Sequence, residues 1–105
     1  MSETIHNKLV RDKIPGIIQA NGETPVTRVL DKSEYRQALL EKLIEEAREL
    51  LADGSLAERA DVEEVLRAID EVFGFSAADI ETARQQKSDE RGAFTERIFL
   101  EKVTD

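Results

Sequence analysis

The sequence predicts an all-α protein, an antiparallel helical bundle, accompanied at most by a small two-stranded β-ribbon. Three observations carry that prediction. Two long stretches, 34–52 and 55–74, repeat apolar residues at three- and four-residue spacing. Residues able to cap a helix stand before each of them, Asp31 or Ser33 before the first and Ser55 before the second. Only Asp53-Gly54-Ser55 separates the two, a connection short enough to fold them back on each other as a hairpin.

The remaining elements follow in chain order. Pro15 suits a first helical turn and Gly22 a helix stop, so a short helix is expected over Ile14–Ala20. Pro25-Val26-Thr27-Arg28-Val29-Leu30 is β-branched and reads as a strand. Its partner would be the segment from Arg97-Ile98-Phe99-Leu100 to 103, giving a ribbon of about 25–30 with 97–103 that must lie on helices to be stable. Ser76 with Asp79 three residues on opens a last helix, which runs to about Arg91 and ends at Gly92. Repeats, low-complexity tracts and linkers are absent, and 105 residues make a single domain over 1–105.

Composition narrows the chemistry. Acids number 23 against 15 bases, a net charge of −8, which would repel a nucleic-acid backbone; no polymeric nucleic acid is expected as a partner. There is no cysteine and a single histidine, His6, expected at the surface, so thiolate and histidine-rich metal sites and cysteine nucleophiles are out. Apolar runs never exceed three residues, and the opening Met1-Ser2-Glu3-Thr4 lacks the pattern of a signal peptide. The expectation is a cytoplasmic protein without membrane contact, whose chemistry rests on carboxylates, lysines and arginines.

A helical wheel shows where the carboxylates point. With Glu46 at zero, Leu39, Leu50, Leu43, Ala47, Leu40, Leu51 and Ile44 occupy an arc of roughly 20° to 160°. Glu46 stands at the lip of that face and Glu49 one turn on, while Glu45 and Glu41 fall on the watery side. In the second stretch Ala68, Val72, Val65, Ile69, Val62, Phe73 and Leu66 form the apolar arc, with Glu58 inside it, Asp61 near its edge and Glu64 one turn beyond as an auxiliary candidate. Packed as a hairpin, these faces bring Glu46, Glu49, Glu58 and Asp61 together. Four ionised carboxylates in partial burial repel one another, and a hard divalent cation, Mg²⁺ or Mn²⁺, resolves the conflict. Two structural alternatives stand beside this: ion pairing with Arg or Lys, and a capping box in which Glu58 reaches back to Ser55.

Basic residues gather in two places, Lys8, Arg11 and Lys13 before Pro15, and Arg84, Lys87 and Arg91 at i, i+3, i+7. They are either partners for the surplus acids or the groups that neutralise a polyphosphate beside a metal. Neither GxxxxGK[ST] nor GxGxxG occurs. Tyr35 and the four phenylalanines are expected in the core rather than as base-stacking platforms.

Glu45-Glu46-Ala47-Arg48-Glu49 followed by Glu58-Arg59-Ala60-Asp61 resembles the EExxE…ExxD signature of the all-α nucleoside triphosphate pyrophosphohydrolases, the MazG-like and phosphoribosyl-ATP pyrophosphohydrolase-like superfamily. The run from Asn7 to Pro15 is similar to the NKLVRDKIP opening of a small-protein branch of it, and 87–94 to that branch's K-x-x-E-R-G-x-F close; Gly16 stands where an acid is the rule. The likeness spans residues 7 to about 103. It implies Mg²⁺-dependent (or Mn²⁺-dependent) hydrolysis of a nucleoside triphosphate between the α and β phosphates, with Glu46, Glu49, Glu58 and Asp61 as metal ligands. Lys8, Arg11, Lys87 and Arg91 match motif positions assigned to phosphate contacts. Glu46 and Glu49 would be catalytic, Glu49 orienting or deprotonating the attacking water. The likeness also implies a homodimer or higher homo-oligomer that completes the bundle, which suits a hairpin whose outer face lacks cover. Clearing of damaged nucleotides is the role it suggests. Two rivals remain: hydrolysis of phosphoribosyl-ATP, and a non-catalytic acidic helical module that binds a protein partner or buffers a divalent ion.

Overall fold

Three of the four helices begin where a side chain takes over an orphan backbone N–H; the short first one opens on Lys13 and Pro15 without a side-chain cap. The computed structural model describes residues 2–105, with helices α1 (Ile14–Ala20), α2 (Lys32–Ala52), α3 (Leu56–Phe73) and α4 (Ala77–Arg91). Asp31 caps α2 through a reciprocal box: its Oδ1 accepts from the Glu34 N–H at 2.8 Å, and the Glu34 carboxylate reaches back to the Asp31 N–H. Ser55 and Ser76 cap α3 and α4, accepting from the backbone N–H of Glu58 and Asp79. At the other end of α3, Gly74 takes a left-handed φ of 76°, and its N–H bonds to the Asp70 carbonyl, a stop that a residue with a Cβ would strain.

The chain divides into two units, one ending at Gly74 and one spanning Phe75–Asp105. The first is built on α2 packed against α3. Its buried apolar centre is Leu39, Val65 and Ile69, with Leu9, Tyr35, Leu43, Ala68, Val72 and Phe73 partly buried around it. The Arg36 guanidinium lies 4.4 Å from the Phe73 ring centroid, a cation–π contact away from the 53–55 turn.

The apolar arc of α2 is only half used. Leu39, Leu43 and Leu50, at its Glu46 side, are buried or half-buried, whereas Leu40, Ala47, Ile44 and Leu51 are exposed, Leu51 to 87%. The watery side differs too. Glu45 is half-buried, because the segment before α1 lies over it and Lys8 Nζ donates to its Oε1 at 3.1 Å.

Residues 25–30 and 97–103 have no regular secondary structure, so among the described residues all regular elements are helical. Arg97 sits at φ 58° with its N–H bonded to the Phe94 carbonyl, so the run Arg97-Ile98-Phe99-Leu100 starts from a turn rather than an extended strand. Of the phenylalanines expected in the core only Phe73 packs there; Phe75, Phe94 and Phe99 are exposed. His6 is exposed, as expected. In the second unit, α4 carries mostly exposed residues, with Ser88 half-buried. No helix among the described residues is long and apolar enough to cross a membrane.

Candidate metal centre

Hairpin register builds the site. In antiparallel helices joined by 53–55, Glu49 and Glu58 stand at matching distances either side of the turn, and Glu46 and Asp61 match one helical turn further in. Each of the four offers a carboxylate oxygen, and these oxygens all lie within 4.8 Å of one another. Glu46 is the most enclosed, with 7% of its surface exposed; Glu58 and Asp61 are half-buried and Glu49 faces solvent. The sequence-based set is therefore brought together in full. Glu64 is exposed and outside the cluster.

The site's electrostatics are unresolved within the protein itself. Burial pushes the Glu46 carboxyl above its ordinary range, and the neighbouring Glu49 carboxyl adds to the rise, against the opposing pull of Lys42. Two carboxyls this close hydrogen-bond only through a shared proton; ionised, they repel. Glu46 Oε1 has Lys42 Nζ at 3.3 Å, but Glu46 Oε2 is buried with no hydrogen-bond partner, and so is Glu58 Oε2. Since Ser55 caps α3 with its own hydroxyl and Glu58 Oε2 bonds to nothing, the capping alternative leaves that oxygen's orientation unexplained. Orphaned, inward carboxylate oxygens from two helices are the donor set that a hard divalent cation takes. The residues present fit such an ion.

Three cations border the cluster. Arg11 Nη2 donates to Asp61 Oδ1 at 2.8 Å. Lys8 pairs with Glu45 and is held protonated more firmly than an ordinary lysine, first by that hydrogen bond and then by the Glu45, Glu49 and Glu46 charges. Lys42, on α2 itself, lies 3.4 Å from Glu45 Oε2 as well as 3.3 Å from Glu46 Oε1. Burial works to raise the Glu45 carboxyl, but Lys8 and Lys42 together hold it below its ordinary range. Lys42 was missed in the sequence reading, although its i+3 and i+4 spacing to Glu45 and Glu46 is visible there.

Arg84 pairs within α4, bonding to Glu81 and Gln85. Lys87 and Arg91 lie one turn apart on the same helix, in the second unit.

No family model and no solved structure matches the chain. Among curated proteins it is similar to an uncharacterized protein of Mycolicibacterium smegmatis (strain ATCC 700084 / mc(2)155), 56% identical over 45 residues, 43% of this chain and 46% of the relative. The matched stretch thus spans about half the length of that relative.

Proposed function

We propose that the chain is a divalent-metal-dependent nucleotide pyrophosphohydrolase of the MazG-like kind, cleaving a nucleoside triphosphate between the α and β phosphates. The observation that supports this most directly is the pair of orphaned carboxylate oxygens, on Glu46 and Glu58, within a four-carboxylate cluster bordered by Lys8, Arg11 and Lys42. Acids alone would bind a cation and repel the substrate; bases at their rim let a polyanion approach.

Glu46, Glu49, Glu58 and Asp61 would hold Mg²⁺ or Mn²⁺. When bound, such an ion supplies Lewis acidity toward phosphate oxygens and lowers the pKa of an attacking water. Glu49, the most exposed of the four, orients that water and accepts its proton at a carboxylate oxygen. Arg11 and Lys8 bind the phosphates from the segment before α1. Lys42 engages Glu46 Oε1 and opposes the rise of its pKa, leaving Oε2 for the ion. A second copy of the chain covers the open half of the α2 face, and the protein works in the cytoplasm.

The test is pyrophosphate release from a panel of natural and modified nucleoside triphosphates and phosphoribosyl-ATP, with Mg²⁺, Mn²⁺ or chelator. Metal-dependent release that Glu46→Gln abolishes, with helicity intact, is the expected result. Release from phosphoribosyl-ATP alone would assign that substrate instead. One observation favours the non-catalytic module: Arg11 and Lys42 already neutralise part of the cluster. That reading predicts metal binding without pyrophosphate release from any substrate.

A further inference from the structure

We infer that Arg11 is an exchangeable counter-ion, holding Asp61 while the carboxylate cluster lacks a cation and turning to the substrate's phosphates once a divalent ion takes the cluster. The inference rests on the metal reading above and adds an order of binding to it: metal first, nucleotide second.

The argument starts from the contrast between the two cations that touch the cluster. Lys42 is on the same helix as Glu46, four residues away, and its side chain is only 15% exposed, so it has nowhere to go. Arg11 comes from another segment; its side chain is 58% exposed and that of its partner Asp61 39%. A solvent-exposed pair of this kind contributes little stability, so it breaks readily when something better is offered. A dication among the four oxygens is such an offer. It competes for Asp61 and repels a guanidinium held against the same carboxylate.

The backbone around Arg11 does not need to move for this. Leu9 packs on the Leu39–Val65–Ile69 centre, and the Arg11 carbonyl accepts from the Ile14 N–H at 3.0 Å at the entry to α1. The Cα is thus held on both sides while the guanidinium is free to swing, and it remains beside the site after release. A planar fork of N–H donors suits phosphate oxygens as well as it suits Asp61. Before metal arrives, the site offers a polyphosphate surplus negative charge and a guanidinium tied to Asp61 through Nη2. Afterwards it offers both a cation and a guanidinium. Metal binding therefore switches on anion binding through one side chain.

The experiment is calorimetric titration with Mn²⁺ alone, without nucleotide, on the wild type, Arg11→Gln, Lys13→Gln and Glu46→Gln. Lys13 is exposed and lies two residues along, so Lys13→Gln measures the effect of removing one nearby charge. Arg11→Gln is expected to bind Mn²⁺ roughly two- to five-fold more tightly than Lys13→Gln, because it no longer has an Arg–Asp61 contact to displace. On the wild type, the Arg11 guanidinium Nη–H resonances are expected to shift and lose protection on Mg²⁺ titration, as the Nη2–Asp61 bond breaks, then move again when inorganic pyrophosphate is added. Equal Mn²⁺ affinities for the two variants, or an Arg11 resonance indifferent to Mg²⁺, would overturn the exchange. The metal reading would survive either result if Mn²⁺ binding still depended on Glu46. Wild-type Mn²⁺ binding that is absent or unaffected by Glu46→Gln would sink both.

Discussion

Glu46 is the residue on which the fold and the proposed chemistry disagree. Folding buries it beside Glu49, leaves one oxygen without a partner, and raises its pKa. A carboxyl whose folded pKa is raised favours the fold below the ordinary carboxylate value, and that contribution is lost as the pH rises through the raised value. At neutral pH the metal-free cluster therefore works against its own fold. Replacing Glu46 by Gln removes the charge while keeping an oxygen for Lys42. The metal-free Glu46→Gln protein is expected to be more stable than the wild type at pH 7.5 by about 1 kcal/mol, raising its melting temperature by several degrees. The wild type should gain stability on Mg²⁺ addition, and the variant should lose most of that gain. Thermal melts of both proteins with chelator and with Mg²⁺ check this; a variant that melts below the wild type in chelator would contradict the repulsion.

Helix entry is the element-scale feature with a clear pH signature. The Arg28 guanidinium grips both oxygens of Glu34, at 3.3 and 3.0 Å, while Glu34 closes the Asp31 box at the start of α2. Its pKa is lowered, first by the Arg28 hydrogen bond and then by the Asp31 N–H. For a lowered carboxyl the stabilisation is present above the ordinary carboxylate value and lost as the pH falls through the lowered one. Protection of the first-turn amides of α2, measured against their intrinsic exchange rates at each pH, is thus expected to fall below pH 4, and in Arg28→Gln at a higher pH. A common pH profile for the two proteins would show that Arg28 does not hold the box. The box itself was legible in the sequence, as were all four helices to within two residues at most, because capping side chains and three- to four-residue periodicity are local signals. The four carboxylates were legible for the same reason: a three-residue turn fixes the hairpin register, and register brings Glu46 and Glu49 to Glu58 and Asp61. Lys8 over Glu45 and Arg11 on Asp61 were not, since their pairing spans 37 and 50 residues and depends on where Leu9 anchors the chain. Periodicity also could not tell which half of the α2 arc would be covered, because an apolar stripe reads the same whether its partner belongs to the same chain or to another.

That uncovered half matters at the scale of the whole molecule. Three apolar side chains, Leu39, Val65 and Ile69, are buried among the described residues, a small centre for 105 residues. On the same helix Leu40, Ile44 and Leu51 lie with Ala47 at four-, three- and four-residue steps, exposed in a continuous row. A row with that spacing is a helix-packing seam, and burying each leucine or isoleucine in it is worth about 1.5–3 kcal/mol. The proposed occupant is the same seam on a second copy, since a two-fold axis crossing α2 sets each row against its twin. Ile44 lies near the middle of the row, about 100° of helix rotation from Leu43, so a charge there disturbs the seam without entering the hairpin core. Light scattering after size exclusion is expected to give at least twice the chain mass for the wild type and the single-chain mass for Ile44→Glu. The α2–α3 carboxylates come from one hairpin, so Ile44→Glu should still bind Mn²⁺ in a Glu46-dependent manner, although with a lower melting temperature. A wild type that elutes as a single chain would remove the second copy from the proposed architecture, whereas a dimeric Ile44→Glu would place the contact on another surface.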